Sequence, residues 1–490
     1  MTNFSDTICA PATSVGTGAI SIIRISGPDA MAAVDRVVRF PAGTAADAQG
    51  YTLKRGDAGG VDDVLVAFFR APRSYTGEDS AEIYCHASAY IVGELLDRLC
   101  AAGCRLAEAG EFTQRAFVNG KMDLAQAEAV ADVIAAGSAA QHRVAMNQLR
   151  GGYSAELREL RARLLELTAL LELELDFSEE EVEFADRGRL RDLLDGARAH
   201  CRRLADSFRA GNAIKNGVPV AIVGAPNSGK STLLNALLQD DRAIVSDIPG
   251  TTRDTVEECC VLDGILFRFI DTAGIRDTAD AVERLGIERS LRTIAEADIV
   301  LGVVDAAGAA GAASVAGAAE DASSGTDSNA DLPVEGRIAE AVRAFAGKVD
   351  TDSQQLVILL NKCDILGNNK NVIDINKIVS LAGLQEEDVS ILEIAAKTGL
   401  GLDGLRSALV SRVGAEAAGG TLVTNARHAQ ALRDAAASLL AVSDGLDRRL
   451  PGDLLAEDLR AALASLGTIT GEITTDEVLG EIFGRFCIGK

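Results

Sequence analysis

The chain has 490 residues, with 48 Lys+Arg against 72 Asp+Glu and a formal net charge of −24. At the usual ~150 residues per domain this length predicts about three domains, and a 48% hydrophobic content excludes a globally disordered chain. The acidic balance argues against a protein that coats nucleic acid non-specifically, and four His with nine Cys and no C-x-x-C pair argue against a zinc module or disulfide framework.

Residues 1–120 read as mixed α/β: β-branched runs over 19–25 and 64–69 predict strands, and apolar spacing over 91–99 predicts a helix. Over 121–216 strand signals vanish, and helices are predicted over 125–134 and 157–175; the acidic stretch 172–183 reads as a solvated helix end and loop. Residues 217–406 alternate strand and helix, with strands expected over 218–223, 266–270, 299–304 and 356–360, the pattern of a parallel sheet with crossover helices. Inside them, 306–331 is built of Ala, Gly, Ser and Asp with no helical stripe, and reads as a flexible surface insertion. Residues 407–490 return to helix over 426–441 and 454–466, matching 121–216 in composition. The predicted fold is an α/β multidomain chain. An N-terminal α+β domain covers 1–120. A helical domain is split between 121–216 and 407–490, and a Ras-like, doubly wound P-loop domain (217–406) is inserted in it. The N-terminus lacks a basic, apolar leader and the chain has no run of about 18 apolar residues, so a cytoplasmic, non-membrane protein is expected.

The chemistry concentrates in 217–406. Gly224-Ala225-Pro226-Asn227-Ser228-Gly229-Lys230-Ser231 fits G-x-x-x-x-G-K-[ST] and lies between a predicted strand and a predicted helix beginning near Thr232. The glycines let backbone N–H groups close on phosphate oxygens, the helix N-terminus adds positive potential, Lys230 can reach the β- and γ-phosphates, and Ser231 can ligate Mg²⁺. Asp271-Thr272-Ala273-Gly274 follows a strand and suits the magnesium shell and the γ-phosphate. Asn361-Lys362-Cys363-Asp364 follows another strand. Asp364 can accept from guanine N1–H and the exocyclic amine, donors that adenine lacks there, so the motif selects GTP over ATP. Ala395-Ala396-Lys397 lies where a last base loop is expected. Gly250-Thr251-Thr252-Arg253-Asp254 occupies the place of a switch loop, in which Thr252 can bind Mg²⁺. Five elements in order predict a GTPase. Ile275 stands where small GTPases often carry a water-orienting Gln, and neither Arg253 nor Arg276 is assigned as an arginine finger.

Together with Leu124-Ala125-Gln126-Ala127-Glu128-Ala129, Val282-Glu283-Arg284-Leu285-Gly286-Ile287-Glu288-Arg289 and the terminal Phe486-Cys487-Ile488-Gly489-Lys490, these motifs resemble the MnmE (TrmE) family of tRNA-modification GTPases over nearly the whole length. The resemblance implies a homodimer whose N-terminal domain binds a tetrahydrofolate one-carbon derivative (5-formyl- or methylene-tetrahydrofolate) through Arg24, Glu82, Lys121 and Lys490. It implies K⁺ in place of an arginine finger, held by Asn227, Ser246, Ile248 and Thr251, with Asp247 and Pro249 in the same nucleotide-binding loop. It implies Glu283 as the residue that positions water, beside Lys230 and Thr252. It also implies a flavoprotein partner, MnmG (GidA), with which the family installs a (carboxymethyl)aminomethyl group at C5 of the wobble uridine of certain tRNAs. Two departures from the family pattern are Ala87-Ser88 after His86, where glycines are common, and Ala395 in place of a Ser. A ribosome-assembly GTPase sharing the five nucleotide motifs is the alternative. A folate-dependent aminomethyl transferase with GTP as a regulatory ligand is a third reading.

Overall fold

The computed structural model describes residues 5–14, 16, 18–176, 187–240, 257–270, 292–310, 332–351, 354–366, 373–385, 389–417, 420–448, 450–484 and 486–489. They divide into two compact units: Met1–Ile134 with Ala145–Arg203 and Gln430–Lys490, and Ala135–Val144 with Leu204–Ala429.

The first unit contains a six-stranded sheet in the order β3-β4-β5-β2-β1-β6. Its strands are β1 (Ile8–Pro11), β2 (Ile20–Ser26), β3 (Thr52–Asp57), β4 (Asp63–Phe69), β5 (Ser80–His86) and β6 (Arg105–Leu106). All neighbours are antiparallel except β1 and β6, which run parallel. Period-two alternation explains the sheet. Ile23 and Ile25 of β2, Val64, Val66 and Phe68 of β4 and Ala81 and Ile83 of β5 form one core with Ala30, Val34, Leu95 and Leu99 of the helices Ala30–Val37 and Ala89–Ala101. The intervening residues, Arg24 and Glu82 among them, therefore emerge on the face away from those helices.

The helical part of this unit joins chain segments distant in sequence. The helix Gly152–Asp176 packs along Gly452–Thr470, and Arg161 forms an ion pair with Glu472 at 2.6 Å. The helix Asp476–Phe483 starts at Thr475, whose hydroxyl accepts from Val478 N, and carries Asp476 and Glu477 in its first turn, where negative charge suits the helix N-terminus. The segment after it returns to the N-terminal sheet: Ile488 bridges Ala109, and Gly489 lies so close to β1 that an added Cβ would stand 2.2 Å from the Pro11 carbonyl oxygen.

The second unit holds the doubly wound sheet, in the order β12-β11-β10-β7-β9-β8. Its strands are β7 (Val218–Val223), β8 (Glu258–Leu262), β9 (Ile265–Phe269), β10 (Ile299–Asp305), β11 (Gln355–Asn361) and β12 (Val389–Glu393). Only β8 is antiparallel to its neighbour. Continuous apolar strands such as Val-Ile-Leu-Leu in β11 fit a sheet covered on both faces. Val218, Val220 and Ile222 of β7 enter a core with Leu233, Leu234 and Leu237 of the helix Lys230–Asp240. Ala221 and Val223 enter a second core with Ile338, Val342 and Phe345 of the helix Val334–Ala346.

The predicted strands match to within a residue or two at each end. One detail differs: residues 306–310 form a helical turn instead of flexible chain. Asp305 Oδ1 accepts from Gly308 N at 2.8 Å, and Ala306 is fully buried, which anchors the turn to the end of β10. The remaining 311–331 lie outside the described residues. No helix among the described residues is long and apolar enough to cross a membrane.

Candidate functional site

The loop between β7 and the helix Lys230–Asp240 is shaped by two glycines that nothing larger can replace. Gly224 has φ +150°, and a Cβ there would meet the Val303 carbonyl oxygen at 2.2 Å; Gly229 has φ +101°, and its Cβ would meet Asn361 Nδ2 at 2.1 Å. Asn227, between them, is also left-handed at φ +63°. Lys230 folds back over the loop, its Nζ donating to Gly224 O at 2.8 Å and Ala225 O at 2.9 Å. Burial lowers its pKa below the usual lysine value. Ser228 Oγ is buried beneath the loop without a hydrogen-bond partner among the described residues. A ring of backbone at a helix N-terminus, a lysine resting on loop carbonyls and a cradle too tight for any Cβ fit a polyphosphate.

The base-side motifs are fastened to this loop. The Asn361 amide donates to Ser228 O at 2.8 Å and its Oδ1 accepts from Ala396 N at 3.0 Å, so one buried side chain joins the P-loop, the end of β11 and the loop after β12. Cys363 N donates to Ile394 O at 3.1 Å. Lys362, at φ +64°, donates to Asn227 O at 2.9 Å. Asp364 and Lys397 are exposed at the mouth of this cluster, while Ala395 and Ala396 are buried. Thus Asn227, Ser228, Gly229, Lys230, Asn361, Lys362 and the 395–396 backbone form one connected assembly, with Ser231 and Thr232 in the first turn of the following helix. Ser246, Asp247, Ile248, Pro249, Gly250, Thr251, Thr252, Asp271, Thr272, Ala273, Gly274 and Glu283 lie outside the described residues.

A second cluster sits on the face of the first sheet away from the helices Ala30–Val37 and Ala89–Ala101, beside the small core of Ile8, Ala10 and Phe112. Arg24 of β2 and Glu82 of β5 are direct cross-strand partners, joined by Nη2–Oε1 at 2.9 Å and Nε–Oε1 at 3.0 Å. Tyr84 OH donates to Glu82 Oε2 at 3.0 Å, and Arg24 Nη1 donates to Gly489 O at 3.3 Å. The Arg24 guanidinium carbon lies 5.5 Å from the centre of the Tyr75 ring and 5.7 Å from that of Phe112. Burial raises the Tyr75 pKa. Lys121 lies against the 72–77 turn, its Nζ donating to Pro72 O at 2.9 Å and its stem packing on Gly77. Lys490 lies outside the described residues, and Cys487 is exposed. Sequence reading missed Tyr84, Tyr75 and Phe112. The strand alternation that puts Tyr84 on the face of Glu82 was the available signal, whereas Tyr75 and Phe112 come from a turn and a helix that only the fold brings to Arg24. Among the described residues no group of three or more His, Cys, Asp or Glu could hold a metal ion.

Both regions fall within ranges matched by family models. The family model described as "GTP-binding protein TrmE N-terminus" matches residues 7–121, and that described as "MnmE helical domain" matches residues 124–487. A protein of Parabacteroides distasonis named "tRNA modification GTPase MnmE" is 46% identical over 99% of this chain and 100% of its own length. A protein of the same name from Flavobacterium psychrophilum is 44% identical over the same shares. Among solved structures, the FeoB G-domain from Methanococcus jannaschii is 21% identical over 40% of this chain and 96% of that chain, with a TM-score of 0.22. On the family models and these full-length relatives, the chain belongs to the MnmE (TrmE) family.

Proposed function

We propose that this GTPase modifies tRNA, adding, with the flavoprotein MnmG, a (carboxymethyl)aminomethyl group at C5 of the wobble uridine. The observation that carries the reading is the pairing, in one chain, of the nucleotide assembly around Lys230 and Asn361 with the Arg24–Glu82 cluster beneath the C-terminal tail. Full-length similarity to relatives named tRNA modification GTPase supports this reading over ribosome assembly.

In the nucleotide site, Lys230 would exchange its two carbonyl partners for phosphate oxygens, and the helix N-terminus would face the same oxygens. Ser231 and Thr252 are the residues proposed to hold Mg²⁺. Asn227, exposed and left-handed in the loop, is proposed with Ser246, Ile248 and Thr251 to hold K⁺. A monovalent cation there supplies positive charge to the developing γ-phosphate. Glu283 is proposed to orient the attacking water, the task Ile275 cannot perform. Asp364 would read the guanine N–H edge.

At the second cluster, a tetrahydrofolate derivative would present N–H donors of its pterin to Glu82 and its carboxylates to cationic groups, with Lys121 and Lys490 proposed beside Arg24. Tyr75, partly exposed, would offer an apolar face beside Arg24, which the buried Phe112 ring backs. Homodimerisation and a cytoplasmic location complete the reading. The test is reconstitution from purified chain, MnmG, tRNA, GTP and methylene-tetrahydrofolate, in K⁺ and in Na⁺ at equal ionic strength. The proposal expects modified uridine and fast GTP hydrolysis in K⁺ only. Equal rates in both salts would refute the cation assignment, and hydrolysis with no modified uridine would refute the tRNA reading.

A further inference from the structure

Lys362 carries two loads. Its backbone is left-handed at φ +64°, which is unfavourable for a lysine and persists only where surrounding contacts hold it. Its ammonium bonds Asn227 O, itself on a left-handed residue of the P-loop, at 2.9 Å. The second partner is Asp305, whose Oδ2 lies 2.6 Å from Lys362 Nζ. None of the nucleotide motifs includes Asp305. Strand pairing puts it there: β10 and β11 run parallel with Asp305 opposite Asn361, so the last residue of β10 stands beside the first residues of the Asn361–Asp364 motif. The position is the carboxyl end of the strand next to β7, where doubly wound sheets bind ligands. The other oxygen of the same carboxylate accepts from Gly308 N and caps the turn 306–310. Both side chains are about one-third exposed, so the pair is partly desolvated.

We propose that Asp305 is a positioning residue for guanine-nucleotide binding. It holds the Lys362 ammonium at the junction of P-loop and base loop, so that the lysine stem is fixed beside the base and Asn227 is fixed beside the phosphates. The proposal rests on the GTP-site reading above. A carboxylate serving only as a helix cap would behave differently, because Asn caps about as well as Asp but carries no charge for Lys362.

The experiment is a double-mutant cycle on the full-length chain with Asp305→Asn, Lys362→Ala and both together. It is read by binding of fluorescent mant-GDP, by KM and kcat for GTP, and by the melting temperature of the nucleotide-free protein. The expected result for Asp305→Asn is roughly tenfold weaker mant-GDP binding, a charge-assisted hydrogen bond being the interaction lost. The loss should fall on KM more than on kcat, with a melting temperature near that of the parent. In the Lys362→Ala background, Asp305→Asn should add less than twofold. Binding by Asp305→Asn within twofold of the parent, or an undiminished effect without Lys362, overturns the proposal. Should Asp305→Asn unfold, Asp305→Ser, which keeps a capping oxygen without the charge, is read by the same criteria. A parent chain that binds no mant-GDP would overturn the nucleotide reading itself, and that result is distinguishable from a parent that binds while the variant binds equally.

Discussion

Arg115 is fully buried, and its neighbours explain how a guanidinium can be there. Nη2 donates to Asp6 Oδ1 at 2.7 Å and to Glu111 Oε1 at 2.9 Å, while Nη1 donates to Asp6 O at 2.8 Å and reaches Glu78 at 3.3 Å. Arg105 closes the group with a 2.6 Å bond to Glu111. Glu78 in turn accepts from Ser26 Oγ at 2.8 Å, so the network reaches the residue that ends β2, the strand of Arg24. Burial pushes the Glu111 pKa up, but bonds from Arg105, Glu108 N and Arg115 outweigh it and the net value falls below the ordinary 4.5. A carboxylate lowered in this way contributes stability that is complete above its unfolded pKa and is lost as pH falls through its folded one. Glu111→Gln, which removes the carboxylate charge shared by Arg115 and Arg105, should therefore cost about 2 kcal/mol at pH 7. It should also flatten the fall in stability below about pH 4.5. Urea titrations from pH 7 to pH 3 check both; an unchanged slope in acid would mean that the network contributes nothing through Glu111.

Elements meet at glycines. Gly229 marks the point where the P-loop passes under Asn361, so Gly229→Ala must push the Asn361 amide away and break its bond to Ser228. GTP binding should fall at least a hundredfold while the sheet, held by its two cores, remains folded; equilibrium binding with circular dichroism checks this, and near-parental affinity would contradict the geometry. Gly489 does the same for the C-terminal tail. With φ +93° and Pro11 O in the way of a Cβ, Gly489→Ala should lift the tail from β1 and remove its carbonyl from Arg24. The proposed folate binding, read by calorimetry, should weaken at least tenfold with GTP turnover little changed, and loss of both together would contradict the separation of the two sites. The strands and the P-loop were legible in the sequence, because apolar alternation, continuous apolar runs and Gly-Lys-Ser each follow from local chemistry. The partner of Gly489 was not, since Pro11 and Gly489 lie at opposite ends of the chain and only the tertiary fold joins them. Asp305 was equally silent, being one more acidic residue at a strand end until β10 and β11 are set in register.

At the scale of the whole chain, two sites of different chemistry are carried by two units. One joins the P-loop, the end of β11 and the loop after β12 through backbone and a few fixed side chains. The other holds a paired arginine and carboxylate, the Tyr75, Tyr84 and Phe112 rings and the Gly489 carbonyl. The helices that join distant segments, 152–176 with 452–470, belong to the unit of the second site. An acidic chain of net charge −24 meets a polyanionic tRNA most readily through a local basic surface or through the proposed MnmG partner. Nucleoside mass spectrometry of tRNA tests the central claim most directly. The tRNA would come from cells lacking this chain, complemented with the intact gene or with a Lys230→Ala copy. Loss of the C5-modified wobble uridine, restored by the intact gene and not by Lys230→Ala, is the predicted result. A modification profile that is unchanged without the chain would contradict it.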